Sequence, residues 1–295
     1  MPDLTAPRLR PALSAVCAAL VAVCAPAAHA EGIFGLTTTN ALVTFDSALP
    51  GSASAPVPIT GLATSEQMIG IDIRPATGSL WGLSSSSRLY TLNPSTGAAT
   101  FVSALSTPLA GSRFGIDFNP VVDRLRVVSS SGQNLRINVD TGAVTVDMPL
   151  NGAVSSIVAN AYTNNVAGAA TTTLYGINSS TDALYIQNPP NNGTQTLVGA
   201  LGFDSTALIG FDISGSNGTA FASLTNGDLG KSALYTISLA TGAATLVGNF
   251  GIGGNTAIAA PLLDIAVAAV PEPGTYALLG LGLVAVALRR RQARG

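Results

Sequence analysis

Short apolar runs separated by turn residues dominate the chain between residues 31 and 270. In the stretch 69–102 four such runs, IGIDI, LWGL, LYTL and TFV, alternate with a Pro-Ala-Thr-Gly turn, a serine tract and a Pro-Ser-Thr-Gly turn. Runs of this length, rich in β-branched and aromatic residues and ended by Pro or Gly, are typical of β-strands. The stretch predicts four consecutive antiparallel strands, which form one sheet or one blade of a radial repeat.

The four-strand pattern recurs in the stretches 114–146, 157–199 and 209–248, of which the second is the most irregular. One position of the first strand carries an oxygen-bearing side chain in every copy, at intervals of 43 to 52 residues. The residues at this position are Asp72, Asp117, Asn160, Asp212 and, in a last isolated run, Asp264. Repeats of about 40 to 50 residues with four strands each are typical of β-propellers.

Strand-like runs at the two ends of this region together supply the four strands of one further blade. Three strand-like runs, beginning at residues 33, 41 and 55, precede the first full unit, and one run beginning at Leu262 follows the last. We expect these strands to form a fifth blade with the C-terminal strand innermost, because such closure removes free sheet edges. The prediction is an all-β, five-bladed propeller over 31–270. A β-sandwich and a six-bladed propeller are the alternatives, since both use many short strands.

The first 30 residues have a different character. Arg8 and Arg10 precede the run AVCAALVAVCAPAA and an Ala-His-Ala sequence that ends at Ala30. This order predicts a secretory signal peptide over 1–30, cleaved after Ala30. Both cysteines and the one histidine lie within it. The mature chain therefore has no thiol and no imidazole, which excludes Cys–His and Ser–His–Asp catalysis and His-ligated zinc.

The C-terminal segment 271–295 begins with a Pro-Glu-Pro tripeptide, continues with an apolar stretch over 276–288 and ends with a basic tail. The 13 apolar residues are few for a membrane span, which needs about 20, and the arginines favour the cytoplasmic side. We expect a short apolar transmembrane helix with an Arg tail. The residues that define the segment are Pro271, Glu272, Pro273, Arg289, Arg290 and Arg291.

In their order, these three parts resemble the PEP-CTERM sorting signal of Gram-negative bacteria. The resemblance implies that the export machinery and an exosortase act on the protein and that the tail is removed. It also implies a host that makes exopolysaccharide, and a destination at the cell surface or in the extracellular matrix.

Several segments of the mature region also resemble a bacterial family catalogued as domain of unknown function 4394. They are Gly70–Gly78, Phe114–Pro120, Asp123–Ser129, Gly132–Arg136, Ala161–Gly168 and Gln187–Gly193. This resemblance implies an exported β-rich domain, often followed by a sorting tail. The resemblance implies no activity and no catalytic residue for this chain.

The low content of charged residues and the slightly negative net charge argue against a nucleic-acid partner. Charged residues make up 9% of the chain and the net charge is −2, whereas an average soluble domain has about 25% charged residues. No cluster of Lys and Arg occurs between residues 31 and 270, so we expect no nucleic-acid partner.

The repeated acidic position is the strongest candidate for a functional site. The first strand of a propeller blade lines the channel, so Asp72, Asp117, Asn160, Asp212 and Asp264 are expected to form a ring of oxygens. Calcium takes six to eight oxygen ligands, and such a ring could hold it. Alternatively, each Asp accepts backbone N–H groups from its own turn or from the neighbouring blade. We favour this structural role because Asp beside turns is common.

Arg124, Arg126 and Arg136 of the second unit form a candidate anion site, since the Arg fork matches the carboxylates of an acidic polysaccharide. Ion pairs with Asp117, Asp123 and Asp140 of the same unit are the favoured alternative.

Three functions remain open. The first is a non-catalytic surface or matrix protein, whose ligand is a polysaccharide, another surface protein or a second copy of itself. The second is a carboxylate-based, glycan-active enzyme, and the third is a calcium-stabilised scaffold. The glutamates of the mature chain, Glu31 and Glu66, lie outside the predicted channel strands. Equivalent ring positions also lack the divergent pKa values of an acid and base pair. We therefore predict a non-enzymatic protein with no catalytic residue, and with no cofactor unless calcium is structural.

Overall fold

A computed structural model describes residues 30–152, 156–227, 230–251 and 261–268. The strands in chain order are β1 (Gly32–Thr37), β2 (Ala41–Asp46), β3 (Val57–Pro58), β4 (Met68–Arg74), β5 (Ser79–Ser84), β6 (Arg88–Leu92), β7 (Ala99–Ala104), β8 (Phe114–Asn119), β9 (Arg124–Ser129), β10 (Asn134–Asn138), β11 (Ala143–Val146), β12 (Asn151–Gly152), β13 (Ala159–Tyr162), β14 (Leu174–Asn178), β15 (Ala183–Gln187), β16 (Thr194–Ala200), β17 (Ser205–Ile213), β18 (Ala220–Asn226), β19 (Lys231–Ile237), β20 (Ala244–Asn249) and β21 (Leu262–Val267). Two short 3-10 helices, Pro50–Ser52 and Pro190–Asn192, complete the secondary structure of these residues.

The strands form five separate sheets, antiparallel except for one short parallel pair in blade III, which are the blades of a five-bladed β-propeller. Blade I is β4–β7, blade II is β8–β11, blade III is β13–β16, blade IV is β17–β20, and blade V contains β21 and β1–β3. The predicted fold is confirmed. The first strand of each blade contacts the first strands of the two neighbouring blades, so β4, β8, β13, β17 and β21 form a closed inner ring.

Blade V joins the two ends of the propeller, as predicted. Strand β21 pairs with β1 in antiparallel register, with Gly35 opposite Ile265, and occupies the innermost position of the sheet. Blade III differs from the predicted four-strand unit, because the two-residue strand β12 pairs with β16 in parallel and adds a fifth strand. The pair Asn151–Gly152 has no apolar pattern, so nothing in the sequence indicates this strand.

Apolar side chains between adjacent blades form the core. Each of the five blade interfaces has its own cluster of buried residues, such as Leu83 and Ile116 between blades I and II, or Leu36 and Ile71 between blades V and I. Because both faces of an inner strand are covered, these strands are apolar on consecutive residues rather than on alternate ones. The outermost strands have only one covered face, and β11 and β20 are largely exposed.

Candidate functional site

The five positions of the predicted ring all lie on the inner strands: Asp72 on β4, Asp117 on β8, Asn160 on β13, Asp212 on β17 and Asp264 on β21. All five side chains are buried, with exposed fractions of 1% to 7%. The structure thus brings together, around one axis, residues that are as far apart as 192 positions in the sequence.

Three of the ring aspartates bridge two inner strands in the same way. In each, Oδ1 accepts a hydrogen bond from the N–H of the next residue, over 2.6 to 2.9 Å. In each, Oδ2 accepts a second bond from the neighbouring inner strand. The Oδ2 donors are the N–H of Phe118 for Asp72 (2.6 Å), of Val267 for Asp212 (2.6 Å) and of Ile71 for Asp264 (2.9 Å). This is the geometry that the structural alternative predicts.

The ring is incomplete at blades II and III. Asp117 Oδ1 accepts the N–H of Tyr162 over 3.1 Å. Its Oδ2 accepts no N–H or O–H group of the described residues, and the Asp117 carboxyl instead shares a hydrogen bond with the Asp212 carboxyl. Neither the oxygen nor the nitrogen of the Asn160 amide has a partner within that part of the chain. The series of side-chain bonds around the axis is therefore interrupted between β13 and β17.

Crowding of carboxyl groups dominates the electrostatics of the axis. Asp72, Asp117 and Asp212 each place one oxygen within 4.8 Å of the other two. Burial, followed by the charge of Asp212, holds the pKa of Asp72 well above its usual range. Burial and then the charges of Asp72 and Asp212 have the same effect on the pKa of Asp117. These groups cannot all carry a negative charge on an apolar axis unless protons or a cation neutralise them.

The other two ring aspartates follow the same trend. Burial raises the pKa of Asp212 to about 7, although hydrogen bonds from the N–H groups of Val267 and Ile213 oppose the shift. Burial likewise holds the pKa of Asp264 well above its ordinary value.

A small cavity lies on the axis beside the ring. It is lined by residues that precede the ring position on each inner strand by one to three residues: Ile69, Phe114, Val158, Ile209 and Leu263. The side chain of Arg113 also contributes to the lining. The cavity volume of about 30 Å³ is room for about one or two water molecules.

The three arginines of the candidate anion site share one face of blade II. Arg126 lies opposite Arg136 in the β9–β10 pairing, and Arg124 is two residues before Arg126, so all three side chains project to the same side. Arg126 is nevertheless only 1% exposed, and its guanidinium donates to Asp147 Oδ2 (2.7 Å), Asn134 Oδ1 (2.8 Å), Asn191 Oδ1 (2.7 Å) and the Tyr162 hydroxyl (3.3 Å).

The ion pairs expected for these arginines are different in the structure. Arg126 and Arg136 both pair with Asp147, and Arg136 does so through two hydrogen bonds of 2.6 and 2.8 Å. Asp123 and Asp140 instead pair with Arg74 of blade I. The prediction of direct ion pairs with Asp117, Asp123 and Asp140 was wrong, because Asp147, which directly follows β11, binds Arg126 and Arg136, and Asp123 and Asp140 face Arg74. The charge of Arg124 acts on Asp140 only at longer range, where it helps to lower the pKa of that carboxyl group.

Arg124 is a half-buried arginine of this face that forms no close ion pair among the described residues. Its Nη1 donates to the backbone oxygens of Val122 and Asp123, and among the described residues it has no carboxylate within 4.0 Å. It lines a groove of about 230 Å³ together with Arg136, Asn138, Ala143, Val144 and Thr145.

Three buried polar contacts were not expected from the sequence. Arg74 donates to both oxygens of Asp123 and of Asp140, over 2.6 to 3.0 Å, and so ties blade I to blade II. Glu66 accepts hydrogen bonds from the hydroxyls of Ser84 and Tyr90, and Glu31 from those of Ser214 and Ser216. The partners are 18 to 185 residues apart, and no local pattern indicates them.

The sorting residues Pro271, Glu272, Pro273, Arg289, Arg290 and Arg291 lie outside the described residues, as does the predicted short transmembrane helix. Within the part of the chain that is described, no helix has the length and apolar character that crossing a membrane requires. Most of the predicted signal peptide also lies outside the described ranges.

Comparison with solved structures finds chains that resemble this one in part and at low identity. A protein of unknown function from Bacteroides thetaiotaomicron is 12% identical, with a TM-score of 0.48 over 83% of this chain and 68% of that one. Hydrazine synthase from Kuenenia stuttgartiensis is 14% identical, with a TM-score of 0.41 over 63% of this chain, which spans 50% of the hydrazine synthase chain. No curated protein matches the sequence.

Two family profiles match the sequence. The PEP-CTERM protein-sorting motif matches residues 269–291, and this signal indicates an exported, cell-surface protein that exosortase-type sorting machinery processes. The family described as Domain of unknown function (DUF4394) matches residues 41–260. Since that match covers most of the chain, including four whole blades, the protein belongs to the Domain of unknown function (DUF4394) family.

Proposed function

We propose that this cell-surface propeller is a non-catalytic binding protein, and that the groove on blade II holds an acidic polysaccharide of the extracellular matrix. The observation that carries the proposal is the pair of guanidinium groups in that groove. Among the described residues Arg124 has no carboxylate within 4.0 Å, and its charge acts on Asp140 only beyond that distance. Arg136 is one third exposed although it pairs with Asp147.

The chemistry of the groove suits a uronic-acid polymer. The planar guanidinium group forms paired hydrogen bonds with a carboxylate, and Asn138 adds an amide that can bond sugar hydroxyls. The groove is lined by side chains of β9, β10 and β11, which fixes them on a rigid sheet. A repeating acidic chain that passes several copies of the protein would gain strength from multiple contacts.

Burial of the carboxylates supports a non-catalytic role. A glycosidase needs two carboxyl groups on either side of a bound glycosidic bond. Asp72, Asp117 and Asp212 are each 1% exposed, and the cavity beside them has a volume of only about 30 Å³. A sugar ring would not fit there, because this volume corresponds to about one or two waters.

Retention of the purified mature chain on immobilised alginate, a uronic-acid polymer, tests the proposal. We expect retention that falls as salt rises, and no retention on neutral dextran. Arg124→Ala should weaken binding about tenfold, the loss expected for one charge-assisted hydrogen bond. Lys231→Ala, which removes an exposed charge from blade IV, is the matched control and should bind as the wild type does.

Two results would count against the proposal. Equal retention of the wild type and the Arg124→Ala variant would remove the groove from consideration. Release of reducing ends from alginate or from neutral glycans, lost on Asp117→Asn, would show that the protein is an enzyme.

A further inference from the structure

The axis of the propeller carries an excess of negative groups that the described residues do not balance. Four buried aspartates surround it, and none of them forms an ion pair with Lys or Arg in that part of the chain. Oxygens of Asp72, Asp117 and Asp212 lie within 4.8 Å of one another. A cluster of acids alone does not define a binding site, so a second feature is needed.

Unpartnered polar atoms at the same place supply that second feature. Asn160 is 2% exposed, yet neither its Oδ1 nor its Nδ2 has a hydrogen-bond partner among the described residues. The Asp117 carboxyl differs, because it shares a hydrogen bond with the Asp212 carboxyl. The large majority of buried side-chain polar atoms are hydrogen-bonded in folded proteins. Single atoms of several other buried side chains also lack a partner among the described residues, but at Asn160 both polar atoms do, and Asn160 occupies a position of the acidic ring.

The Asn160 oxygen lies on the same side of β8 as the side chain of Asp117. A Cβ added at Gly115 would lie 2.6 Å from Asn160 Oδ1. Gly115 and Asp117 are two residues apart on β8 and so share a face of the strand. The Asn160 oxygen thus lies against the face of β8 from which Asp117 projects, and the absence of a side chain at Gly115 leaves space for it.

The distances between the carboxylate oxygens of the three aspartates indicate which metal ion fits between them. Three atoms that are at most 4.8 Å apart can all lie within about 2.8 Å of one common point. Calcium bonds to oxygen over about 2.3 to 2.6 Å and accepts irregular geometry, whereas magnesium requires about 2.1 Å and a regular octahedron. A small contraction suits calcium, and the axial cavity admits the water that would complete its coordination.

We propose that the propeller binds one calcium ion on its axis, with carboxylate oxygens of Asp72, Asp117 and Asp212 and the amide oxygen of Asn160 as ligands. The ion joins the inner strands of blades I to IV. It also bridges the interval between β13 and β17, where the side-chain hydrogen bonds around the axis are interrupted. Calcium binding and folding are therefore coupled: the ion stabilises the native ring and has no comparable site in the unfolded chain.

The test measures the melting temperature of the mature chain with a chelator and with about 1 mM calcium, a concentration that fills typical extracellular calcium sites. We expect calcium to raise the melting temperature by about 5 °C or more. Magnesium at equal ionic strength should have little effect. Equilibrium dialysis with radioactive calcium should give one bound ion per chain.

Variants at the ring separate ion binding from general stabilisation. Asp117→Asn keeps an oxygen for the N–H of Tyr162 but removes a carboxylate, so the calcium-dependent shift should disappear. Asn160→Asp adds a carboxylate and should lower stability in chelator while enlarging the shift. Asp204→Asn, the same change at an exposed site, should leave the shift unaltered.

Two outcomes would overturn the proposal. The first is no bound calcium in dialysis together with an Asp117→Asn variant that is more stable than the wild type in chelator, which would show that protons neutralise the ring. The second is an equal calcium shift in the wild type, Asp117→Asn and Asp204→Asn, which would indicate screening of surface charge.

Discussion

Arg126 illustrates how the role of a charged residue is decided by its neighbours. The sequence groups it with Arg124 and Arg136 as a cation cluster, and the three side chains do share one face of blade II. Arg126, however, is buried and bonded to side chains of blades II and III, whereas Arg124 stays accessible in the groove. The spacing of the three arginines predicts their shared face but not their different exposure.

Replacement of Arg126 should therefore destabilise the fold far more than replacement of Arg124. Arg126→Ala leaves Asp147 and Asn134 buried with fewer partners, and we expect a loss of about 3–5 kcal/mol in the free energy of unfolding. Arg124→Ala should cost less than about 1 kcal/mol, because the residue is partly exposed. Urea denaturation of both variants measures the difference. Equal losses would contradict the assigned roles.

Asp147 should contribute to the loss of stability in acid. Burial alone would raise its pKa, but hydrogen bonds from Arg136 and Arg126 outweigh burial and lower the pKa below its ordinary value. A carboxyl group with a lowered folded-state pKa stabilises the protein above the unfolded pKa of about 3.9, and that contribution is lost as the pH falls toward the folded pKa.

The pH dependence of Asp147→Asn tests this contribution. Between pH 5 and about pH 3, the free energy of unfolding of the variant should fall less steeply than that of the wild type. Asp204→Asn serves as the control for the loss of one carboxyl group at an exposed position. A parallel decline in the wild type and Asp147→Asn would show that Asp147 is not linked to acid unfolding.

At the scale of elements, the turns between third and fourth strands join the blades. Gly97, Gly142 and Gly242 end these turns with φ between +72° and +81°. Each lies against the backbone of the fourth strand of the preceding blade, so that an added Cβ would overlap a backbone oxygen there. Both the left-handed conformation and the close approach require glycine. Each of these glycines follows a threonine, so the Thr-Gly dipeptide that recurs in the sequence marks the turns that make this contact.

A pair of glycine substitutions separates the two requirements. Gly78 has φ +68° and nothing within 4 Å of an added Cβ, whereas Gly142 has φ +73° and would overlap Ala104 O. Gly78→Ala should cost about 1–2 kcal/mol through backbone strain alone. Gly142→Ala should cost about 1–3 kcal/mol more, because the blades must move apart. Thermal denaturation distinguishes them, and equal costs would mean that the inter-blade contact is not tight.

At the scale of the whole molecule, β21 holds the ring closed. It pairs with β1, contacts β4 and β17 on either side, and buries Leu262 and Ile265 almost completely. It also supplies Asp264, whose carboxylate bonds the N–H of Ile71 across the boundary between blades V and I. A propeller without this strand would have an open inner edge and two uncovered blade faces.

Removal of β21 should abolish cooperative unfolding. A chain that ends at Pro261 should show a broad melting transition and lose protection of backbone amides in β1, β4 and β17 from hydrogen exchange. A chain that ends at Val270 keeps β21 and lacks the sorting segment, so it should melt as sharply as the full-length protein. A sharp transition in the shorter chain would show that four blades are stable alone.

The sequence by itself determined the repeat, the five blades, the closing strand and the C-terminal sorting signal. These follow from local features, since strand pattern, turn residues and terminal segments are each contained within a few residues. It also placed the ring residues on the inner strands, because each occupies the same position in its repeat. It did not indicate β12, which is two residues long and polar.

Only the tertiary structure decided which charges meet and which are buried. Arg74 pairs with acids 49 and 66 residues away, and Asp147 receives two arginines that the sequence assigned to other partners. The pairs of Arg74 depend on how blade I meets blade II, and the pairs of Asp147 depend on the path of the chain just beyond β11. The unpartnered amide of Asn160 is likewise evident only in the folded ring, where the residue is 2% exposed.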